Sequence, residues 1–196
     1  MAKMSAHTET EKLPGQGKSS FDLINPKVLW REIDLAPGLI FLDLGCGEGN
    51  YSMSAAEIIG INGTVYAVDL WKEGIAALKE RARQQGQINL QAQVAPAGEI
   101  PLKDHSVDIG FMATVLHDLV EAGTAIAALA EMTRLIKPRG KLAIVEFEKI
   151  DGPPGPPKHI RLDAAQVENL VSPYGFKRQK VKKVSDYNYL ITFTKL

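Results

Sequence analysis

The sequence contains one cysteine, Cys46, in 196 residues. A lone cysteine excludes an internal disulfide and a multi-cysteine zinc site, and it fits a reducing compartment. There is no surplus of either charge: Lys+Arg is 23 and Asp+Glu is 23, a formal net charge of zero. That balance argues against a protein that coats nucleic acid or anionic membrane through bulk charge. No run approaches the roughly 18–20 apolar residues that span a bilayer. The stretch from Met1 to Ser20 has no apolar signal core, so a cytoplasmic location is expected. No His/Cys/carboxylate cluster has metal-ligand spacing, so no metal site is expected, and there is no internal repeat. What is present, 45% hydrophobic and 23% charged residues, is ordinary for one globular domain of this length.

Residues 1–20 are polar, glycine-bearing and without hydrophobic period, and are expected to form a flexible tail; 21–196 should form the domain. Within it, two kinds of apolar segment alternate. Leu39–Leu44, Thr64–Leu70, Asn89–Val94, Val107–Thr114 and Lys141–Phe147 read as strands. Ser52–Ile59, Trp71–Gln85 and Val120–Ile136 carry apolar residues at helical spacing. Gly86 should stop the second helix, and Pro138 with Gly140 the third. The run Gly152–Pro157 suits neither helix nor central strand. Asp163 should cap a helix over Asp163–Leu170, and Phe176–Val184 and Tyr187–Leu196 read as an antiparallel pair. Regular β-α alternation implies an α/β fold: an open, doubly wound, mostly parallel sheet that ends in an antiparallel pair. Ligands of such sheets sit at the carboxyl ends of the strands, where strand order reverses.

The first strand runs into Asp43-Leu44-Gly45-Cys46-Gly47-Glu48-Gly49. Glycines at alternate positions let the backbone turn sharply and approach a ligand. Twenty residues after Gly49 the second strand ends at Asp69, whose carboxylate can accept hydrogen bonds from vicinal ribose hydroxyls. Loop and acid together point to a ribose-bearing ligand. A nicotinamide dinucleotide is disfavoured, because its fingerprint is G-x-G-x-x-G and this chain has G-x-G-x-G.

These segments resemble the class I S-adenosylmethionine-dependent methyltransferases, and most closely the small-molecule branch called methyltransferase type 11. Asp43–Gly49 is similar to the first motif of that family and Val65–Leu70 to the second. Gly98–Asp108, Val115–Leu119 and Leu135–Leu142 resemble the later blocks in order. The resemblance implies a Rossmann-like methyltransferase fold with S-adenosyl-L-methionine as cofactor. Gly45, Cys46, Gly47 and Gly49 would pack on its methionine part, and Asp43 would organise the loop and meet the amino group directly or through water. Asp69 would hold the ribose, Leu70 would lie beside adenine, and Met112 and Ala113 would line the methionine end. The acid that often follows the third strand is replaced by Pro96, which leaves adenine to backbone near Ala97 and Gly98.

Methyl transfer needs alignment and exclusion of water, and a base only where the acceptor must lose a proton. His117, after the fourth strand, is the candidate base, or else a helix-start histidine paired with Asp118. Tyr51 is a candidate for orienting the acceptor, or simple packing. His159 is a further candidate, or a loop residue in solvent, and Glu146 and Glu148 either face the pocket or cap a neighbour. Lys177, Arg178, Lys180, Lys182 and Lys183 read as the solvated, aggregation-resistant edge of the sheet rather than an RNA contact. The expected partner is therefore a small-molecule methyl acceptor, with no nucleic acid. The alternative is a catalytically silent S-adenosylmethionine-binding regulatory or partner protein.

Overall fold

The computed structural model describes residues 17–196. Most of the segment read as a tail therefore lies outside the described residues. Seven strands form one sheet in the order β3-β2-β1-β4-β5-β7-β6. They are β1 (Ile40–Leu44), β2 (Thr64–Asp69), β3 (Leu90–Val94), β4 (Val107–Ala113), β5 (Ile136–Phe147), β6 (Phe176–Lys183) and β7 (Asn188–Lys195). Strands β1 to β5 pair in parallel, and β7 is antiparallel to both of its neighbours, β5 and β6. The strand order reverses between β1 and β4. This is the open α/β sheet expected from the sequence.

Helices α1 (Pro26–Glu32), α2 (Asn50–Ile59) and α3 (Lys72–Gln84) cover one face; α4 (Leu116–Glu121), α5 (Ala125–Leu135) and α6 (Ala164–Val171) cover the other. The pleat decides which residue goes where. Phe41, Ile109 and Phe111 face α1 and α2, where Trp30 and Tyr51 meet them in an aromatic cluster. Leu42, Leu44, Met112, Leu142 and Ile144 face α5 and α6. Each fully buried Phe or Leu adds about 2–3 kcal/mol of transfer free energy.

Three elements differ from the sequence expectation. Helix α1 carries too short an apolar stripe to announce itself, yet Asn25 caps it by accepting from the Lys27 amide (3.0 Å), with Pro26 at its first position. The helix expected over Val120–Ile136 is two helices. Gly123 adopts φ +69°, the left-handed conformation that ends a helix, and the chain restarts at Ala125. Pro138 and Gly140 lie inside β5 instead of ending a helix. The strand pairing shifts between Val107 and Ile109, and this bulge absorbs a residue with no amide proton. The cap at Asp163 is present, reciprocated by Gln166.

Candidate functional site

At the carboxyl ends of β1 to β4 lies a cavity of about 360 Å³. Its floor is the loop after β1. Gly45 and Gly47 both have positive φ (74° and 54°), and the amides of Gly45 and Cys46 both donate to the Val68 carbonyl (2.8 and 3.1 Å). No atom lies within 4 Å of where a Cβ would stand on Gly47, so that backbone is open to a ligand, whereas a Cβ on Gly45 would strike Val115.

Asp69, at the end of β2, ties this floor to the next wall. One carboxylate oxygen accepts the Gly47 amide (2.8 Å) and the other the Trp71 amide (2.8 Å). Each oxygen has a second lone pair left for a ligand hydroxyl. Leu70, 51% exposed, and Leu119 give apolar walls, and Ala95 and Ala97 close the side beyond β3. Among the described residues the ionisable lining is Asp69, Asp118 and Glu121 against Lys18, a balance that favours a cationic guest. A carboxylate for paired hydroxyls, apolar walls for a flat base and an acidic surround together fit an adenosyl sulfonium.

Not every expected site residue faces this space. Cys46 turns its side chain toward the α3 cluster, where burial raises its thiol pKa. Gly49 caps α2 at φ +72° and lies against Leu78, so its role is close helix packing. Gly98 packs on Ala127, which leaves Ala97 as the lining residue of that pair. Met112 is wholly buried in the core, and Ala113 packs toward the α1–α2 side; neither lines the cavity. Val115 takes that place, because β4 stays extended through Ala113 and the chain reaches the mouth only beyond it. Trp71, Asp118, Leu119 and Lys18 also line the cavity unforeseen. Of these, Asp118 and Leu119 carried a sequence signal, as members of the block Val115–Leu119.

Asp43 sits beneath the floor, 1% exposed, and accepts from the Ser52 hydroxyl at 2.5 Å. Burial lifts its pKa to about 7, against the pull of Ser52 and with help from the Asp69 charge. The folded protein therefore keeps a proton here that the unfolded chain releases near pH 4. Folding stability should fall as pH rises between about 4 and 7 on account of this group. Asp43→Asn should flatten that slope, read as urea midpoints at pH 5 and pH 8. An unaltered slope would show that Asp43 titrates normally.

Tyr51 is buried in the aromatic cluster, and its hydroxyl pairs with Ser20 Oγ (2.9 Å). Burial raises the phenol pKa, and Tyr51 is not among the residues that line the cavity. Ser20, placed in the tail by sequence, is 2% exposed and also meets Thr114 Oγ1 (3.3 Å). Gly17 and Lys18, just before Ser20, line the cavity.

His117 is 4% exposed. Its Nδ1 lies 2.7 Å from Glu146 Oε2, its amide donates to Glu146 Oε1 (3.2 Å), and its Nε2 lies 3.5 Å from Asp118 Oδ1. Glu146 has no exposure at all. His159 is exposed, and His105 approaches the Ile136 carbonyl (3.2 Å) and Lys195, away from the cavity. Lys180 and Lys182 both bind Glu32 (3.0 and 2.6 Å), holding its pKa down at about 2, and Arg178 binds Glu168 (2.8 Å). The basic strand edge is thereby partly neutralised within the fold. Among the described residues no cluster of three potential metal ligands occurs, and no helix is long and apolar enough to cross a membrane.

A doubly wound sheet with a glycine loop after β1 and a carboxylate at the end of β2 suggests the class. Residues 35–189 match a methyltransferase-domain family, and the chain belongs to it, as a domain dependent on S-adenosylmethionine. Among solved structures, an S-adenosylmethionine-dependent methyltransferase from Aquifex aeolicus superposes with a TM-score of 0.83 at 28% identity, covering 94% of this chain and 95% of that one. Among curated relatives, a demethylmenaquinone methyltransferase from Bacillus cytotoxicus is 32% identical over 123 residues, 61% of this chain and 49% of the relative. A ubiquinone/menaquinone biosynthesis C-methyltransferase from Shewanella piezotolerans is 33% identical over 124 residues, 63% of this chain and 45% of the relative. The chain spans about half the length of these curated relatives.

Proposed function

We propose that this chain moves a methyl group from S-adenosylmethionine to a small hydroquinone-type acceptor. The observation that carries the donor half is the carboxylate of Asp69, bound to the Gly47 and Trp71 amides and facing the cavity. The acceptor half is supported by the quinone-pathway names of the two curated relatives. S-adenosylmethionine supplies a methyl on a sulfonium, whose leaving group departs as a neutral thioether.

The chain's own residues do the rest. Asp69 accepts the ribose hydroxyls, the open backbone of Gly47 and the floor at Gly45 approach the methionine part, and Leu70, Ala97 and Leu119 hold the base. Asp69, Asp118 and Glu121 favour the positive charge of the donor. Tyr51 anchors Ser20 and so fixes Gly17 and Lys18 in the cavity wall. The single cysteine is in keeping with work in the cytoplasm.

The test has two arms. Calorimetric titration with S-adenosylmethionine and S-adenosylhomocysteine should give saturable binding of both. Incubation with radiolabelled donor and 1,4-naphthohydroquinone should then form S-adenosylhomocysteine only when the hydroquinone is present. Binding without turnover on any acceptor in a panel of phenols, hydroquinones and amines would leave the silent regulatory role instead.

A further inference from the structure

A carboxylate with no exposure is costly to keep charged, and capping a helix does not require the charge. The His117 amide would be capped as well by a neutral amide oxygen. Yet Glu146, next to the last residue of β5, also holds the imidazole Nδ1 at 2.7 Å. With Oε1 already accepting from the His117 amide and Oε2 accepting from Nδ1–H, Nε2 is the basic atom. Nε2 lies 3.5 Å from Oδ1 of Asp118, which is the member of the group that lines the cavity. The three side chains therefore run inward from cavity wall to core in the order Asp118, His117, Glu146.

We infer that this row is a proton relay: Asp118 takes the proton released by the methyl acceptor, His117 Nε2 receives it, and Glu146 holds the resulting imidazolium. The inference rests on the reading of the chain as a methyltransferase acting on an acceptor with an ionisable hydrogen. The balance is simple. The acceptor's X–H pair stays with the acceptor, whose new bond to the methyl carbon replaces the donor's S–C bond as the S–C pair leaves on the neutral thioether sulfur, and the proton ends on Nε2, with Nδ1–H unchanged. The proton returns to solvent through Asp118 after turnover. Asp118 would be the catalytic residue, and His117 and Glu146 positioning residues that set its capacity.

The groups facing His117 come from three directions: Glu146 from β5, Asp118 from its own helix and Arg161 from the segment before α6, while Glu121 and Lys18 act on Asp118. Burial pulls the imidazole pKa down, but Glu146 and Asp118 outweigh it and Arg161, so the net shift is upward. Burial also raises Asp118, partly offset by His117, which makes it a stronger base than an exposed aspartate. Activity should fall as pH drops through the His117 pKa, because the relay is then already loaded.

The test joins NMR with kinetics. Titration of the His117 ring should give a midpoint above that of an ordinary histidine, lowered by about one unit or more in Glu146→Gln. With 1,4-naphthohydroquinone as acceptor, the acidic limb of the pH–rate profile should move with that midpoint. Asp118→Asn should lower kcat about 100-fold, within the range for loss of a general base, a loss far larger than the fall in donor affinity from removing one of three acidic groups, with partial recovery in Asp118→Glu. A His117 midpoint unmoved by Glu146→Gln, or a limb that ignores it, would overturn the relay and leave Glu146 a helix cap. If the hydroquinone is not methylated, the acceptor reading falls, and the titration decides the relay alone.

Discussion

Asp69→Ala should weaken S-adenosylmethionine binding by at least about 2 kcal/mol, a rise in Kd of about 30-fold or more. Two ligand hydroxyls would lose a charged acceptor. The structure adds a second cause, since the same carboxylate holds the Gly47 and Trp71 amides and so joins floor to wall. Both amides would turn to water, and the loop would enter the bound state less ordered. Asp69→Asn should fall between, because one oxygen can still accept. Calorimetry on the three proteins decides the matter. An alanine variant that binds as tightly as the parent would remove Asp69 from the donor site.

Arg161→Ala should produce the largest loss of stability, about 3–5 kcal/mol, and a Tm lower by about 10 °C. Its guanidinium is 1% exposed and donates to four carbonyls, those of Glu148, Gly152, Pro154 and Pro156, at 2.5–3.0 Å. It also lies 5.6 Å from the centre of the Phe147 ring. Proline-rich backbone offers carbonyls with few amides to meet them, and one fork of donors gathers them at the end of β5. Lysine should not rescue, because a single ammonium cannot reach four acceptors in that plane. Donor affinity should hardly change, since none of these groups lines the cavity. A Tm within 2 °C of the parent, measured by calorimetry, would contradict this account.

Strands β1, β2 and β4 were legible because burial on both faces makes continuous apolar runs, and the floor was legible because only glycine tolerates its dihedral angles. The same burial hid which way each residue points. Phe111 and Met112 are both apolar and both buried, so nothing in the alternation told that Met112 faces the core and not the ligand. Spacing located the loop at Cys46 and Gly49 but not its handedness, which turns both toward α3. Ser20 was invisible in a polar stretch because its partner, Tyr51, lies 31 residues on. The pairing of His117 with Glu146 spans 29 residues and depends on β5 lying beside β4, a relation that no local pattern contains.

The place of β7 has a consequence for how the protein is made. It comes late in the sequence, yet it lies inside the sheet, with β5 on one side and β6 on the other. While the chain is still on the ribosome, β5 has an open rim and Ile144 and Val145 lack their partners Ile191 and Leu190. A nascent chain halted before β7 would present that rim to its neighbours on the polysome, so completing translation is itself the step that guards against aggregation.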